Sequence, residues 1–204
     1  MISLRGRSYD WRVRHVSGVL EICLLATILV WLSIELRQVR HVRREAHKND
    51  QGSVVAVRLS AVAGFVGGAA LAHAVPAATI GPLDVVGWIG LAILIAGVTL
   101  RAWSVSTLGH YFTMTVQTSA DQPVITAGPY RMLRHPSYTG LLLALLGVGT
   151  VALRNWLSLL VLAVAVGAGL VYRIRVEERA LLRDLGADYR SYADNHKRLV
   201  PFVW

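Results

Sequence analysis

The sequence is short of charge and nearly empty of cysteine. Only 16% of its residues are Asp, Glu, Lys or Arg, against roughly a quarter in soluble domains. The single cysteine, Cys23, excludes an intramolecular disulfide and any thiolate metal cluster. Acidic residues are few, 12 against 21 lysines and arginines. The glycine-rich turn of a dinucleotide-binding domain is missing, because no strand-turn-helix pattern surrounds Gly147-Val148-Gly149. No nucleophile elbow surrounds Ser137. The seven histidines lie scattered, without the spacing of a helical ligand pair. No internal repeat or low-complexity segment stands out. Nucleotide-loop, serine-nucleophile and metal chemistry are all weak readings of this chain.

What is present is apolar. Hydrophobic residues make up 54% of the chain, and the mean hydropathy is +0.50. Runs near the length that crosses a bilayer recur, which predicts an all-α polytopic membrane protein. Five spans are predicted, at Val16–Leu36, Val54–Val75, Val85–Leu100 (extending to Trp103), Ser137–Leu153 and Trp156–Tyr172. A single membrane domain covering 1–204 is expected, with N-terminal helices in 1–100 and the chemistry in 101–204. The first run is about twenty residues long, holds Glu21 and Glu35 and has no small-residue cleavage site. It therefore reads as a span rather than a cleaved signal peptide.

The net charge of +9 would suggest nucleic acid in a soluble protein. Here the basic residues cluster beside apolar segments, where they set topology and meet anionic lipid. No nucleic-acid partner is expected; membrane lipids are. With the C-terminus in the cytoplasm, sixteen lysines and arginines fall on that side. Only Arg5, Arg7, Arg12, Arg14 and Arg154 fall on the other. The four N-tail arginines run against that bias, and an interfacial N-terminal helix would accommodate them. The expected location is the bacterial inner membrane, with the site facing the cytoplasm. Gly64-xxx-Gly68 reads as a helix-packing face within the chain, with a dimer contact as the alternative.

The loop from Ser104 to His135 is long for a compact membrane protein, and it carries His110, Tyr111, Phe112, Gln117, Tyr130, Arg131, Arg134 and His135. A solvated loop of interfacial aromatics would have the same composition. The His135-Pro136 step adds a mechanism. Proline suits the first helical turn, so a helix starting there turns its positive end toward the loop and favours an anionic group. Arg173, Glu177 and Glu178 mark the end of the last apolar run; a plain salt bridge of Arg173 with Glu177, four residues apart, is the simplest reading. Only Arg154-Asn155 joins spans four and five, so they form a tight hairpin. That brings His135–Tyr138 and Arg173–Glu178 together at one membrane face. One cluster offers anion-binding groups, the other carboxylates, which suits a zwitterionic, amino-acid-like ligand. The chain after Tyr172 is predicted to be a helix stopping at Gly186, then a short helix over Asp188–His196. The last residues, Leu199–Trp204, are predicted to lie on the membrane surface.

These residues carry a resemblance. Gly128-x-Tyr130-x-x-x-Arg134-His135-Pro136-Ser137-Tyr138-x-Gly140, then Arg173-x-Arg175-x-Glu177-Glu178, Gly186-x-x-Tyr189-x-x-Tyr192 and Pro201, resembles the isoprenylcysteine carboxyl methyltransferase family. The wider group includes phospholipid methyltransferases. The resemblance covers roughly Arg101 to Trp204 and implies an integral-membrane methyltransferase using S-adenosyl-L-methionine. It implies cofactor-binding roles for Gln117, Val124, Ile125, Tyr130, His135, Pro136, Ser137, Tyr138, Glu177 and Glu178. It further implies that Arg173 engages the acceptor carboxylate. The spacing from Gln117 to Tyr130 is shorter than in eukaryotic members. The acceptor implied is a lipophilic small molecule or prenylated substrate. A lipid amine or a small thiol is the alternative acceptor. A catalytically silent scaffold or transporter is the reading from a different class. The oligomeric state is not readable from the sequence.

Overall fold

The computed structural model describes residues 5–39, 47–48, 50–112, 117–118 and 123–199. Among these, five long helices carry the fold: α1 (Arg5–Val39), α2 (Ser53–Ala74), α3 (Leu83–Leu108), α4 (Pro136–Leu153) and α5 (Trp156–Asn195). All five are long and apolar enough to cross a membrane. The all-α, multi-pass architecture expected from hydropathy is borne out. The only strands among the described residues are the two-residue pieces β1 (His47–Lys48) and β2 (Gln117–Thr118). They pair antiparallel and join the α1–α2 and α3–α4 connections.

Two boundaries differ from those expected. α1 begins at Arg5, so the N-tail continues the first helix. α3 runs past Trp103 to Leu108, so the long connection starts at Gly109 and not at Ser104. Ser104 and Thr107 return their hydroxyls to the carbonyls of Leu100 and Trp103, which lets these polar residues stay helical. α5 continues past the apolar span that ends at Tyr172, as the helix expected from Arg173 to Leu185 requires. Up to its kink at Gly186 it runs from Trp156 to Leu185, about 45 Å at ~1.5 Å per residue, which exceeds a bilayer's hydrocarbon thickness. The change at Tyr172 is one of polarity alone, since Arg, Glu, Leu and Ala are all good helix formers. The expected break at Gly186 is present, with φ 55 and ψ −121 inside the helix. The residues beyond Leu199 lie outside the described residues.

α3 packs along α4, and α2 along α5. Glycine sets both approaches. A Cβ on Gly140 of α4 would stand 2.7 Å from the Arg101 nitrogen and 2.7 Å from the Gly97 carbonyl oxygen, both on α3. On α2, a Cβ on Gly64 would meet Leu162 at 2.9 Å and one on Gly68 would meet Leu153 at 2.9 Å. The Gly64-xxx-Gly68 pair thus packs within the chain. Leu162, Val166, Leu170 and Ile174 form a fully buried stripe on α5, against Val57 of α2 and Tyr138 of α4. α1 is peripheral: 6% of its span is buried inside the protein, against 44% of α3.

The α4–α5 hairpin is as tight as its two-residue turn requires. Asn155 caps α5 by accepting the Ser158 N–H at 3.1 Å, and its amide donates to the Val75 carbonyl at 2.8 Å. Arg154 takes the left-handed conformation at φ 48. The C-terminal tail folds back over the head of α4. There the Arg134 N–H donates to the Lys197 carbonyl at 2.7 Å and the His135 N–H to the Arg198 carbonyl at 3.0 Å. The Thr139 hydroxyl donates to the Leu199 carbonyl at 2.7 Å.

Candidate active site

Up-and-down threading of five helices brings five chain segments to one face. These are the end of α1, the start of α2, the end of α3, the head of α4 and the part of α5 past its apolar span. The predicted meeting of His135–Tyr138 with Arg173–Glu178 takes place there. Arg173 is buried, at 6% exposure. Its Nε donates to the Tyr138 hydroxyl at 2.7 Å, and that hydroxyl donates to Glu177 Oε2 at 2.5 Å. Tyr138 thus joins the cation and carboxylate expected to pair as simple helix neighbours. Arg173 Nη1 also reaches Asp50 Oδ1 at 3.1 Å and Ser53 Oγ at 3.0 Å, at the start of α2. Its guanidinium lies over the Tyr138 ring, 5.4 Å from the centroid.

Glu178 points the other way. Arg134 Nη1 donates to its Oε1 at 2.8 Å and Arg198 Nη2 approaches its Oε2 at 2.9 Å. His135 Nε2 lies 3.2 Å from Oε1. One carboxylate therefore fastens the head of α4 and the C-terminal tail to α5. Glu177 is the more open of the two. His135 stands between them, its Nδ1 3.8 Å from Glu177 Oε2, and stacks on Tyr138 with centroids 5.6 Å apart.

Tyr130 sits in the short turn Gly128–Arg131 and is buried. Burial pushes its phenol far above the usual tyrosine range, and nearby Glu177 adds to the effect. Its carbonyl accepts the Tyr192 hydroxyl at 2.8 Å, and the Leu133 carbonyl accepts the same hydroxyl at 3.1 Å. Gly128 is required here, since φ is 55 and a Cβ would stand 2.8 Å from Thr107 Oγ1. Val124 and Ile125 are half-buried in the irregular chain before that turn. Gln117 is placed by its backbone in β2. Its side chain and that of His110 lie outside the described residues.

Sequence reasoning missed a second charged group. Arg101 of α3 is 4% exposed. Its Nε and Nη2 hold the Glu35 carboxylate of α1, the latter at 2.8 Å. Its Nη1 donates to Ser137 Oγ at 2.8 Å and to the Ser137 carbonyl at 3.3 Å. Trp31 Nε1 donates to Glu35 at 3.0 Å. The signal was two lone ionisable residues of opposite sign, each near the end of an apolar span. Asp50, Ser53 and Arg198 were missed too, because nothing local marks them.

Between Arg101 and Arg173 lies a cavity of about 360 Å³. Trp31 and Leu36 of α1 wall one side, Val57 and Ala61 of α2 the other, and Leu141 and Leu145 of α4 the floor. The interior is hydrocarbon-like, with guanidinium groups at its polar end. Two buried polar atoms of residues that do not line this cavity, Arg134 Nε and the Tyr189 hydroxyl, have no hydrogen-bond partner. Such groups are costly unless a ligand or water satisfies them. No three His, Cys, Asp or Glu side chains gather as a metal-ligand set among the described residues.

Comparison with known proteins gives a consistent result. Residues 88–183 match the model of the isoprenylcysteine carboxyl methyltransferase (ICMT) family. The chain is 37% identical over 117 residues to protein-S-isoprenylcysteine O-methyltransferase B of Arabidopsis thaliana, covering 56% of this chain and 58% of that one. The protein-S-isoprenylcysteine O-methyltransferase of Saccharomyces cerevisiae is 32% identical over 117 residues, 56% of this chain and 48% of its own. The solved structure of the eukaryotic intramembrane Ras methyltransferase ICMT superposes with a TM-score of 0.57 at 30% identity. That match covers 72% of this chain and 52% of the solved one. The chain thus spans about half to three fifths of the length of these relatives.

Proposed function

Residues 88–183 belong to the isoprenylcysteine carboxyl methyltransferase family, and from that kinship we propose that this chain is a membrane methyltransferase. It uses S-adenosyl-L-methionine and acts on the carboxylate of a lipophilic, prenyl-cysteine-like acceptor. The observation that carries the reading is the buried Arg173–Tyr138–Glu177 relay at the polar end of an apolar cavity. A carboxylate acceptor would sit beside the arginine with its hydrocarbon in the cavity.

The residues present fit the cofactor. The unpartnered Arg134 Nε and Tyr189 hydroxyl are donors in want of an acceptor, and Glu177 is a carboxylate open to an ammonium. Tyr130, Val124, Ile125, Gln117 and His135–Tyr138 would line the bound molecule, with Glu177 on its amino-acid portion. Glu178 would hold Arg134 and His135 in place for it. When bound, S-adenosyl-L-methionine supplies a methyl group on a sulfonium. The acceptor carboxylate needs no deprotonation, so the protein's task is positioning and exclusion of water. Arg173 orients the carboxylate. Because Tyr138, Asp50 and Ser53 share its donors, Arg173 does not neutralise the nucleophile fully. The apolar walls keep both reacting charges poorly solvated before they cancel.

The cofactor-binding core is residues 101–204 within a single membrane domain. Its site faces the cytoplasm of a bacterial inner membrane, where the excess of basic residues lies. The test is transfer of labelled methyl, in nanodiscs, to a farnesyl-cysteine derivative bearing a free acid, with its amide as control. Methylation of the acid alone is expected. Arg173→Ala should raise the acceptor KM, whereas Glu177→Ala should weaken binding of S-adenosylhomocysteine in calorimetry. Retained cofactor binding with no turnover of the acid would move the acceptor to an amine or a thiol.

A further inference from the structure

The family match begins at residue 88, so it includes Arg101 but not Glu35. The ion pair between them therefore joins the matched half of the chain to a helix outside it. α1 is held loosely: little of its span is buried, and it packs on α3. At the level of the site, its fixed point is Glu35, bound by Arg101 and Trp31. Trp31, Glu35 and Leu36 are also the α1 wall of the apolar cavity. The other arm of Arg101 grips the hydroxyl and carbonyl of Ser137 in the first turn of α4. Phe112, which lines the same cavity, lies under the guanidinium with its centroid 5.8 Å away.

We propose that Arg101 is a positioning residue that couples the acceptor cavity to the cofactor side of the site. Glu35 is its anchor on the cavity wall. The proposal rests on the function proposed above. The guanidinium is a rigid fork, and here its two arms serve two different walls. Nε and Nη2 set the position of α1 and so the width of the cavity. Nη1 sets the head of α4, from which Tyr138 reaches Arg173 and Glu177. A hydrocarbon chain that fills the cavity presses on the wall carrying Glu35. Through Arg101, that wall is tied to the turn that presents Tyr138. The charge of Arg101 is spent on Glu35, so it does not compete with Arg173 for the acceptor carboxylate.

The two partners have different predicted phenotypes. Glu35→Gln releases the wall and leaves the Ser137 contact in place. The acceptor KM should rise about tenfold while S-adenosylhomocysteine binding stays within about twofold. Arg101→Gln loses both arms, so acceptor KM and cofactor affinity should both worsen. Arg101→Lys keeps one charge for Glu35 but cannot span both walls. It should restore the acceptor KM and leave cofactor binding weak.

An independent readout is photolabelling of the full chain in nanodiscs by a farnesyl thioether bearing a diazirine, mapped by mass spectrometry. The parent should be labelled on residues 31–36 and 54–61, and Glu35→Gln should lose labelling on 31–36 selectively. Unchanged labelling and KM in Glu35→Gln would overturn the anchor, as would Arg101→Lys behaving like the parent in both affinities. Those results would leave the methyltransferase reading standing. Failure of the parent itself to bind cofactor or take label in the cavity would instead overturn the reading on which the proposal rests.

Discussion

At the residue scale, the Tyr138 hydroxyl is the most consequential atom in the site. It accepts from Arg173 and donates to Glu177, so one oxygen fixes two side chains of opposite charge. Tyr138→Phe keeps the ring, its stacking on His135 and its place under the guanidinium. It removes the hydroxyl that accepts from Arg173 Nε and donates to Glu177, and losing hydrogen bonds to charged groups costs about 1–3 kcal/mol. The expected outcome is a folded protein with a lowered unfolding temperature in detergent and methyl transfer reduced by about 10²-fold. An unfolding midpoint and turnover equal to the parent's would show that the bridge does not organise the pair. Tyr138 was legible in the sequence because it stands in the His-Pro-Ser-Tyr run. Asp50 and Ser53, which hold Arg173, were not, since they lie 123 and 120 residues before it in the chain. Likewise Glu178 looked like a twin of Glu177. Only the returning tail shows that Arg198 joins Arg134 in claiming it.

The helices divide into boundaries that hydropathy reads and contacts that it does not. The α4–α5 hairpin was fully readable, because two polar residues between two apolar runs leave no other geometry. So was the helix past Tyr172 with its break at Gly186, from a run of helix-forming residues closed by a glycine. The pairing of α3 with α4 was not. It rests on Gly97 of α3 against Gly140 and Gly147 of α4, and nothing local in either span marks the other as its partner. Gly140→Leu makes this testable. Its side chain would have to occupy the space of the Arg101 backbone, 2.7 Å from the ideal Cβ. Overpacking of this kind costs about 1–3 kcal/mol or more. The helices should separate at the level of Arg101, lowering the unfolding midpoint and weakening cofactor binding together. Gly67→Ala is the control. The nearest atom to its Cβ would be Val161 Cγ1 at 3.6 Å, ordinary van der Waals contact, so stability should be unchanged. Equal effects of the two variants in thermal unfolding would refute the close-packing account.

For the whole molecule, the proposed function assigns the aqueous cofactor to one face and little to the opposite face. All the charged groups of the site lie with the ends of α1, α3 and α5 and the starts of α2 and α4. The other face, where α4 turns into α5, is closed by backbone contacts. There the Ile80 N–H donates to the Arg154 carbonyl at 2.9 Å, and Asn155 holds the Val75 carbonyl. The orientation proposed above, with the site face in the cytoplasm, follows from arginine counting. The N-tail arginines, which continue helix α1, would then project from the opposite side and oppose that assignment. Accessibility of engineered cysteines decides between the two orientations, starting from Cys23→Ser, since Cys23 is the only thiol in the chain. Arg154→Cys should react in intact cells with a membrane-impermeant maleimide, whereas Asp184→Cys should react only in inverted vesicles. The reverse pattern would show that the N-tail dominates insertion. It would place the cofactor cleft on the side of the membrane where S-adenosyl-L-methionine is not made, and the proposed activity would fail with it.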